Sequence, residues 1–238
     1  MVNGLFTLKE GEAELEFLEK LNEWILENGW EFRDAAPIEI PDNSFRPVHA
    51  IGSAVFHPEY NGNDSMPEVN RRYFLRRTWN ANLPILTTFM MNPSSASELT
   101  GDNTVDFMMD YAKRHGYGTL LVVNTSPVIK RSNTNETDFP PDANNWFYIK
   151  YALSNATEVV LGWGEKGQKY GVPILKSNYA LAALLERHHD KLRVFGYGKE
   201  NTTGLFPKHP HPQKMTQRFP LDHVLQEVTV EKRILMLR

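Results

Sequence analysis

Four continuous apolar runs, each ending in turn residues, constrain the fold of this chain more than any other feature of its sequence. They occupy residues 84–91, 119–123, 158–162 and 192–197. Apolar runs without polar alternation are typical of buried parallel strands. The segments 104–115, 144–154 and 172–188 lie between them and predict crossover helices. The order β-α-β-α-β-α-β therefore predicts an α/β fold of three layers, α/β/α, with helices on both faces of a four-stranded parallel sheet.

Further strands are predicted around these runs. Residues 50–56 and 73–79 have strand composition, and the segment 57–70 between them is rich in Gly, Asn, Pro and Asp. This arrangement predicts an N-terminal β-hairpin. The tail, residues 221–238, predicts a short helix followed by an edge strand.

An acidic leader precedes the predicted α/β domain. Residues 12–27 have the period of an amphipathic helix, with leucine or isoleucine at positions 15, 18, 21 and 25. Prolines 37 and 41 indicate a linker, so we predict a leader over residues 1–45 and an α/β domain over residues 46–238. The leader carries a net charge of −8 and the remainder +5. The leader either docks on the domain or binds a protein partner, and the basic body suits a polyanion such as nucleic acid.

Cysteine is absent from the chain, and this excludes several classes of protein. Disulfide frameworks, zinc ribbons, cysteine-ligated iron–sulfur clusters and thiol nucleophiles all require it. The first residues lack a basic-then-apolar signal pattern, and no apolar run approaches the ~20 residues that span a bilayer. We therefore expect a soluble cytoplasmic protein with no membrane partner. His209 and His211 lack a clear third ligand, so we expect no metal and no cofactor.

Polar side chains follow the ends of the first two predicted strands, where open parallel sheets bind their ligands. The first run is followed by Asn92, Pro93 and Ser94, and the second run by Asn124. An asparagine amide offers both a donor and an acceptor. Two such amides on neighbouring strands therefore predict a pocket for the edge of a planar base. Asn92 followed by Pro93 is also a common turn, and this alternative stays open.

Three further segments complete the predicted site. Asp102 either caps the next helix or acts as a general base. Trp163 and Gly164 follow the third run, and Trp163 is either a ligand contact or a core residue. A proline-rich loop after the fourth run contains Lys208 and His209. A histidine held in such a loop predicts hydrogen bonding or transition-state stabilisation.

These motifs carry a resemblance to known families. In chain order, Asn92-Pro93, residues 121–125 (LVVNT), residues 161–164 (LGWG) and His209-Pro210 resemble the motif series of the uracil-DNA glycosylase superfamily. More closely, the chain resembles the bacterial and phage family catalogued as domain of unknown function 1643, with its N-P-S-x-A, W-G and P-[RK]-H-P segments. The resemblance covers roughly residues 50–212. It implies the strand order 2-1-3-4 and a location in a bacterial cell or a phage-infected host.

The resemblance also implies roles for individual residues. Asn92 would position an attacking water, Asn124 would read the base edge, and His209 would polarise a base carbonyl as negative charge builds on the leaving base. The chain departs from the superfamily because its first motif lacks an aspartate, serines 94 and 95 replace a stacking aromatic residue, and its last motif reads His-Pro-His-Pro rather than His-Pro-Ser-Pro.

Two functions follow as expectations. The first is a nucleobase- or nucleotide-binding protein that cleaves an N-glycosidic bond in DNA or in a nucleotide. The second is a non-catalytic module that binds a nucleotide or nucleic acid, with the acidic leader serving a protein partner. The missing aspartate and the missing aromatic residue favour the second.

Overall fold

The computed structural model describes residues 32–34, 38–40, 48–60, 66–93, 102–130, 133–212 and 215–238. The predicted leader helix at residues 12–27 lies outside the described residues, and so does Ser94. Two short strands inside the predicted leader, at residues 32–34 and 38–40, pair with the strand at residues 48–56. The boundary at residue 45 stays a prediction.

The strands, in chain order, are β1 (Phe32–Asp34), β2 (Ile38–Ile40), β3 (Val48–Phe56), β4 (Arg72–Thr78), β5 (Ile85–Met90), β6 (Thr119–Asn124), β7 (Glu158–Leu161), β8 (Leu192–Val194), β9 (Tyr197–Glu200), β10 (Gly204–Pro207) and β11 (Gln226–Glu227). Nine of these described strands form one sheet in the order β1-β3-β4-β6-β5-β7-β8-β11, and β2 also pairs with β3. The strands β9 and β10 form a separate antiparallel pair.

The main sheet is mixed, so the prediction of a four-stranded parallel sheet is wrong as a description of the sheet. Among the described strands, parallel pairing is confined to β6, β5, β7 and β8, which follow the order 2-1-3-4 when counted along the chain. The predicted hairpin forms from β3 and β4. Its second strand continues antiparallel onto β6, and β11 adds antiparallel to β8. Each addition covers an edge that the parallel strands would otherwise leave unpaired.

The helices are α1 (Asn103–Arg114), α2 (Ala143–Asn155), α3 (Gly164–Lys166), α4 (Val172–Asn178), α5 (Leu181–Arg187) and α6 (Val230–Met236). A π-helical turn, Gly167–Gly171, joins α3 to α4 without a break. Short 3-10 turns occupy Glu136–Asp138, His189–Lys191 and Met215–Gln217. No described helix has the length and apolar character needed to cross a membrane.

Local sequence accounts for where the crossover helices begin. Asp102 and Asp142 each accept two backbone N–H groups and cap α1 and α2. The helices predicted at residues 104–115 and 144–154 are confirmed. The single helix predicted at residues 172–188 is wrong, because Tyr179 is extended between α4 and α5. Its ring stacks on Trp146 with ring centroids 4.8 Å apart.

The hydrophobic core lies on both faces of the sheet. Along β6, Leu121 and Val123 face one cluster, which contains buried residues of α2, whereas Leu120 and Val122 face another, which contains buried residues of α1. This alternation follows from the two-residue period of a strand.

The predicted order of elements in the tail is wrong. The strand β11 comes first and the helix α6 follows it. The side-chain oxygen of Thr229 accepts a hydrogen bond from the backbone N–H of Lys232, so the helix begins at the point where a strand was predicted.

Candidate functional site

A cleft of about 700 Å³ lies beyond the carboxyl ends of the parallel strands. Asn92, Asn124 and His209, which the sequence placed at three separate strand ends, all line it. Asp102 and Gly164 line the same cleft. Its volume lies within the range of small-molecule sites.

Asn92 lies where β5 ends, and two carbonyl groups fix the orientation of its amide. Its Nδ2 donates to the carbonyl oxygen of Pro93 at 3.0 Å and to that of Lys130 at 2.7 Å. Because both partners are acceptors, the nitrogen must face them, and Oδ1 is left as the acceptor. No described residue donates to that oxygen. Asn92 therefore holds the turn, and its Oδ1 has no donor among the described residues.

Asn124 is the last residue of β6 and the most deeply buried of the three, with 1% of its surface exposed. Its Nδ2 is enclosed and has no hydrogen-bond partner in the described part of the chain. The backbone carbonyl of Asn124 accepts a hydrogen bond from Asn145 Nδ2 of α2 at 3.0 Å. A buried amide without a partner costs about 1–3 kcal/mol of stability. Asn124 thus holds unused hydrogen-bonding capacity inside the cleft.

Arg72 also lines the cleft and is not among the residues predicted from the sequence. It begins β4, which runs antiparallel to β6, so its start lies beside the end of β6. Burial lowers the pKa of the Arg72 guanidinium to about 10, and the negative charge of Asp102 opposes this shift. Arg72 therefore remains a cation at neutral pH.

Asp102 is engaged in capping α1. Its Oδ1 accepts the backbone N–H groups of Thr104 at 2.7 Å and of Val105 at 2.9 Å. Of the two alternatives for this residue, the structure shows the cap.

His209 lies in a loop that packs against the end of β7. A side chain at Gly162 would place its Cβ 2.9 Å from Pro210 Cδ, so the absence of a side chain there lets the loop reach the strand. The backbone N–H of His211 donates to His209 Nδ1 at 3.2 Å. Nδ1 therefore carries no proton, and the neutral ring carries its proton on Nε2.

The protein surrounding His209 keeps its ring neutral. Part of the residue is accessible to solvent from the cleft, but burial of the ring lowers its pKa to about 4. At neutral pH His209 is therefore a hydrogen-bond donor through Nε2, without positive charge.

Lys166 and Glu165 line the cleft from the first turn of α3. Gly164 begins this turn with φ of +67°, a conformation that favours glycine. Lys166 Nζ donates to the carbonyl oxygen of Thr134 at 2.9 Å. The following π-helical turn packs against the end of β6, because Gly171 brings its backbone close to Thr125.

The close packing of Gly171 gives a stability prediction. An added Cβ at this position would lie 2.5 Å from Thr125 Oγ1 and 2.6 Å from Thr125 Cβ. We expect Gly171→Ala to lower the free energy of unfolding by about 1–3 kcal/mol in urea denaturation. Gly196→Ala is the matched control, because its Cβ would meet atoms no closer than 3.6 Å. A loss of stability in both variants, or in neither, would contradict this explanation.

The remaining predicted site residues are Trp163, Pro93 and Lys208. Trp163 is fully buried, its Nε1 donates to Gln168 Oε1 at 2.9 Å, and its ring packs edge-on against Phe89. Of the two alternatives for Trp163, the structure favours the core residue, although the cleft floor reaches it. Pro93 is buried, and Lys208 is exposed; neither is among the residues that line the cleft.

The described residues contain no group of three or more His, Asp or Glu side chains placed to hold a metal ion. Within the cleft, the basic side chains are Arg72, Lys130 and Lys166, and the acidic ones are Asp102 and Glu165. Lys130 is neutralised by Asp138, whose carboxylate lies 2.7 Å from its Nζ.

The family of the chain follows from residues 72–211. They match the family model described as "Protein of unknown function (DUF1643)", and they make up more than half of the chain. The chain belongs to the DUF1643 family. In this DUF1643 protein the matched segment begins at Arg72 and ends at His211, both of which line the cleft. No curated protein matches the chain, and no solved structure does.

Proposed function

We propose that the cleft of this DUF1643 protein binds a nucleotide by its base. The observation that carries the proposal is the side chain of Asn124, which lines the cleft and whose buried Nδ2 has no hydrogen-bond partner among the described residues. An amide presents a donor beside an acceptor, and this pair matches the edge of a nucleobase. A ligand that fills both positions would repay the cost of burying the amide.

Two further groups around Asn124 support a polar planar ligand. His209 offers an N–H donor at Nε2, and Asn92 offers a carbonyl acceptor at Oδ1. Met90 and Val122 add apolar surface to the same cleft. An apolar cleft with a few oriented polar groups is the usual form of a small-molecule site.

Calorimetric titration of the full chain with the common nucleobases, nucleosides and nucleoside monophosphates tests this proposal. We expect at least one base type to bind with a dissociation constant in the micromolar range. We also expect the same ligand to raise the melting temperature, because it binds only the folded state. Failure of every base, nucleoside and nucleotide to bind the folded protein would overturn the proposal.

A second candidate function is hydrolysis of the N-glycosidic bond, and the neutral state of His209 favours it. Water oxygen would bond to C1′ while the C1′–N bond breaks and its electron pair passes to the base. Negative charge would then grow on a base carbonyl, where the Nε2–H of His209 would stabilise it. Asn92 Oδ1 would accept a hydrogen bond from the water, and the proton that the water loses would end on the released base.

Chromatographic detection of free base separates this candidate from simple binding. Ligands that bind are incubated with the protein, as are DNA duplexes and single strands that carry common and modified bases. Hydrolysis predicts base release that falls about 100-fold or more in His209→Ala. Binding without any base release would leave the cleft as a binding module.

A further inference from the structure

We propose that the rim of the cleft at Lys166 is a phosphate subsite, so that the ligand is a nucleoside phosphate rather than a free base or nucleoside. This inference rests on the proposed function, because it takes the base to be held at Asn124. It adds a second point of recognition at the opposite end of the ligand.

Lys166 is the cation in the cleft that a ligand can use most directly. Its Nζ is held by one hydrogen bond to the carbonyl oxygen of Thr134, and no carboxylate among the described residues pairs with it. Lys130, by contrast, gives hydrogen bonds to both carboxylate oxygens of Asp138. An ammonium group has three N–H bonds, so Lys166 retains donors for an anion.

The helix that carries Lys166 adds to the attraction for an anion. Residues 164–178 are helical without interruption, through α3, the π-helical turn and α4. Trp163, at the cap position, makes no side-chain hydrogen bond to the first turn. The first backbone N–H groups of a helix have no partner within it, and they attract negative charge. Here they begin at Gly164, which lines the cleft beside His209.

The cleft is large enough for one ligand to have its base at Asn124 and its phosphate at the rim. A volume of about 700 Å³ exceeds what a free base needs and leaves room for a sugar and a phosphate. Asn124 lines the same cleft, and its buried Nδ2 has no partner among the described residues, so the inference of a ligand does not depend on the helix alone. The exposed carboxylate of Glu165 opposes an anion, and water screens it.

Titration of the full chain with a matched nucleoside and nucleoside 5′-monophosphate tests the subsite. We expect the monophosphate to bind at least about 10-fold more tightly, since a charge-assisted hydrogen bond is worth that much. Lys166→Met should remove this difference, so that the variant binds the nucleoside and the monophosphate with equal affinity. Lys166→Arg should preserve most of it, and Glu165→Gln should increase it.

Lys208→Met is the matched control, because it removes the same charge from a lysine outside the cleft. It should leave monophosphate affinity unchanged, and melting curves confirm that each variant folds. Equal affinities for nucleoside and monophosphate, or equal losses in Lys166→Met and Lys208→Met, would overturn the subsite while leaving base binding intact. Absence of binding by either ligand would instead count against the proposed function.

Discussion

Replacing Asn124 by leucine is expected to abolish nucleotide binding and, at the same time, to make the protein more stable. The two expected effects have one cause, because Nδ2 of the wild-type amide is buried without a partner among the described residues. Leucine has the same branched arrangement of side-chain heavy atoms as asparagine and has no polar atom to leave unpaired. We expect a gain of about 1 kcal/mol or more in the free energy of unfolding.

The loss of binding should be larger than the gain in stability. The ligand would lose two hydrogen bonds and would bury its own donor and acceptor against an apolar side chain. We expect affinity to fall about 100-fold or more. Calorimetric titration measures the affinity, and urea denaturation without ligand measures the stability.

Asn145→Leu is the matched control for this substitution. Asn145 is equally enclosed, and its Oδ1 also has no partner among the described residues, but its Nδ2 donates to the backbone carbonyl of Asn124. Its replacement should therefore leave the protein about 1–3 kcal/mol less stable than Asn124→Leu, because that carbonyl loses a partner inside the protein. A loss of stability in Asn124→Leu, or undiminished nucleotide affinity, would contradict the role that we propose for this amide.

The stability of the protein should decrease as the pH falls, because His209 is neutral in the folded protein. Its pKa is about 4 in the folded protein and about 6.5 in an unfolded chain. Between these values the unfolded chain binds a proton that the folded protein does not, so acid favours unfolding. The expected contribution is on the order of 3 kcal/mol, fully present above pH 6.5 and lost as the pH approaches 4.

Urea denaturation at pH 7 and at pH 4.5, on the wild type and on His209→Asn, measures this contribution. The variant should lose less stability between the two pH values, because asparagine does not titrate. His211→Asn is the comparison, since burial also lowers the pKa of His211 but that residue lies further into solvent. The same pH dependence in wild type and His209→Asn would show that other groups cause it.

Much of the site could be predicted from strand ends. Asn92 and Asn124 follow apolar runs, and parallel pairing of β5 with β6 brings Met90 level with Asn124. The sequence therefore predicted that these two residues lie in one cleft, because the carboxyl ends of all parallel strands lie at the same edge of a sheet.

The position of Arg72 in the cleft could not be predicted in this way. It belongs to an antiparallel strand, so the start of β4, and not its end, reaches the cleft. Nothing in the sequence of the hairpin shows that β4 continues onto β6. In a strand that is antiparallel to the others, the amino end and not the carboxyl end lies at the cleft. A prediction based on carboxyl ends alone therefore omits such residues.

Trp163 and the helix after it show a different limit. The glycines on either side of Trp163 were equally compatible with a ligand contact and with core packing. In the structure the indole N–H donates to Gln168, and this contact favours the core position. The interruption at Tyr179 likewise depends on stacking against Trp146 of α2. Both outcomes are decided by contacts between distant segments, and local periodicity carries no information about these.

The π-helical turn at Gly167–Gly171 determines the direction in which the residues before it face relative to the residues after it. Such a turn adds one residue to an α-helical path, and each residue of an α-helix advances by about 100° around the axis. Val172 and Leu175 face the core on one side of the turn, while Glu165 and Lys166 face the cleft on the other. With one residue fewer, the first turn would rotate by about 100° and carry Lys166 away from the cleft. The π-helical turn thus allows one part of the helix to pack against the core while the part before it lines the cleft.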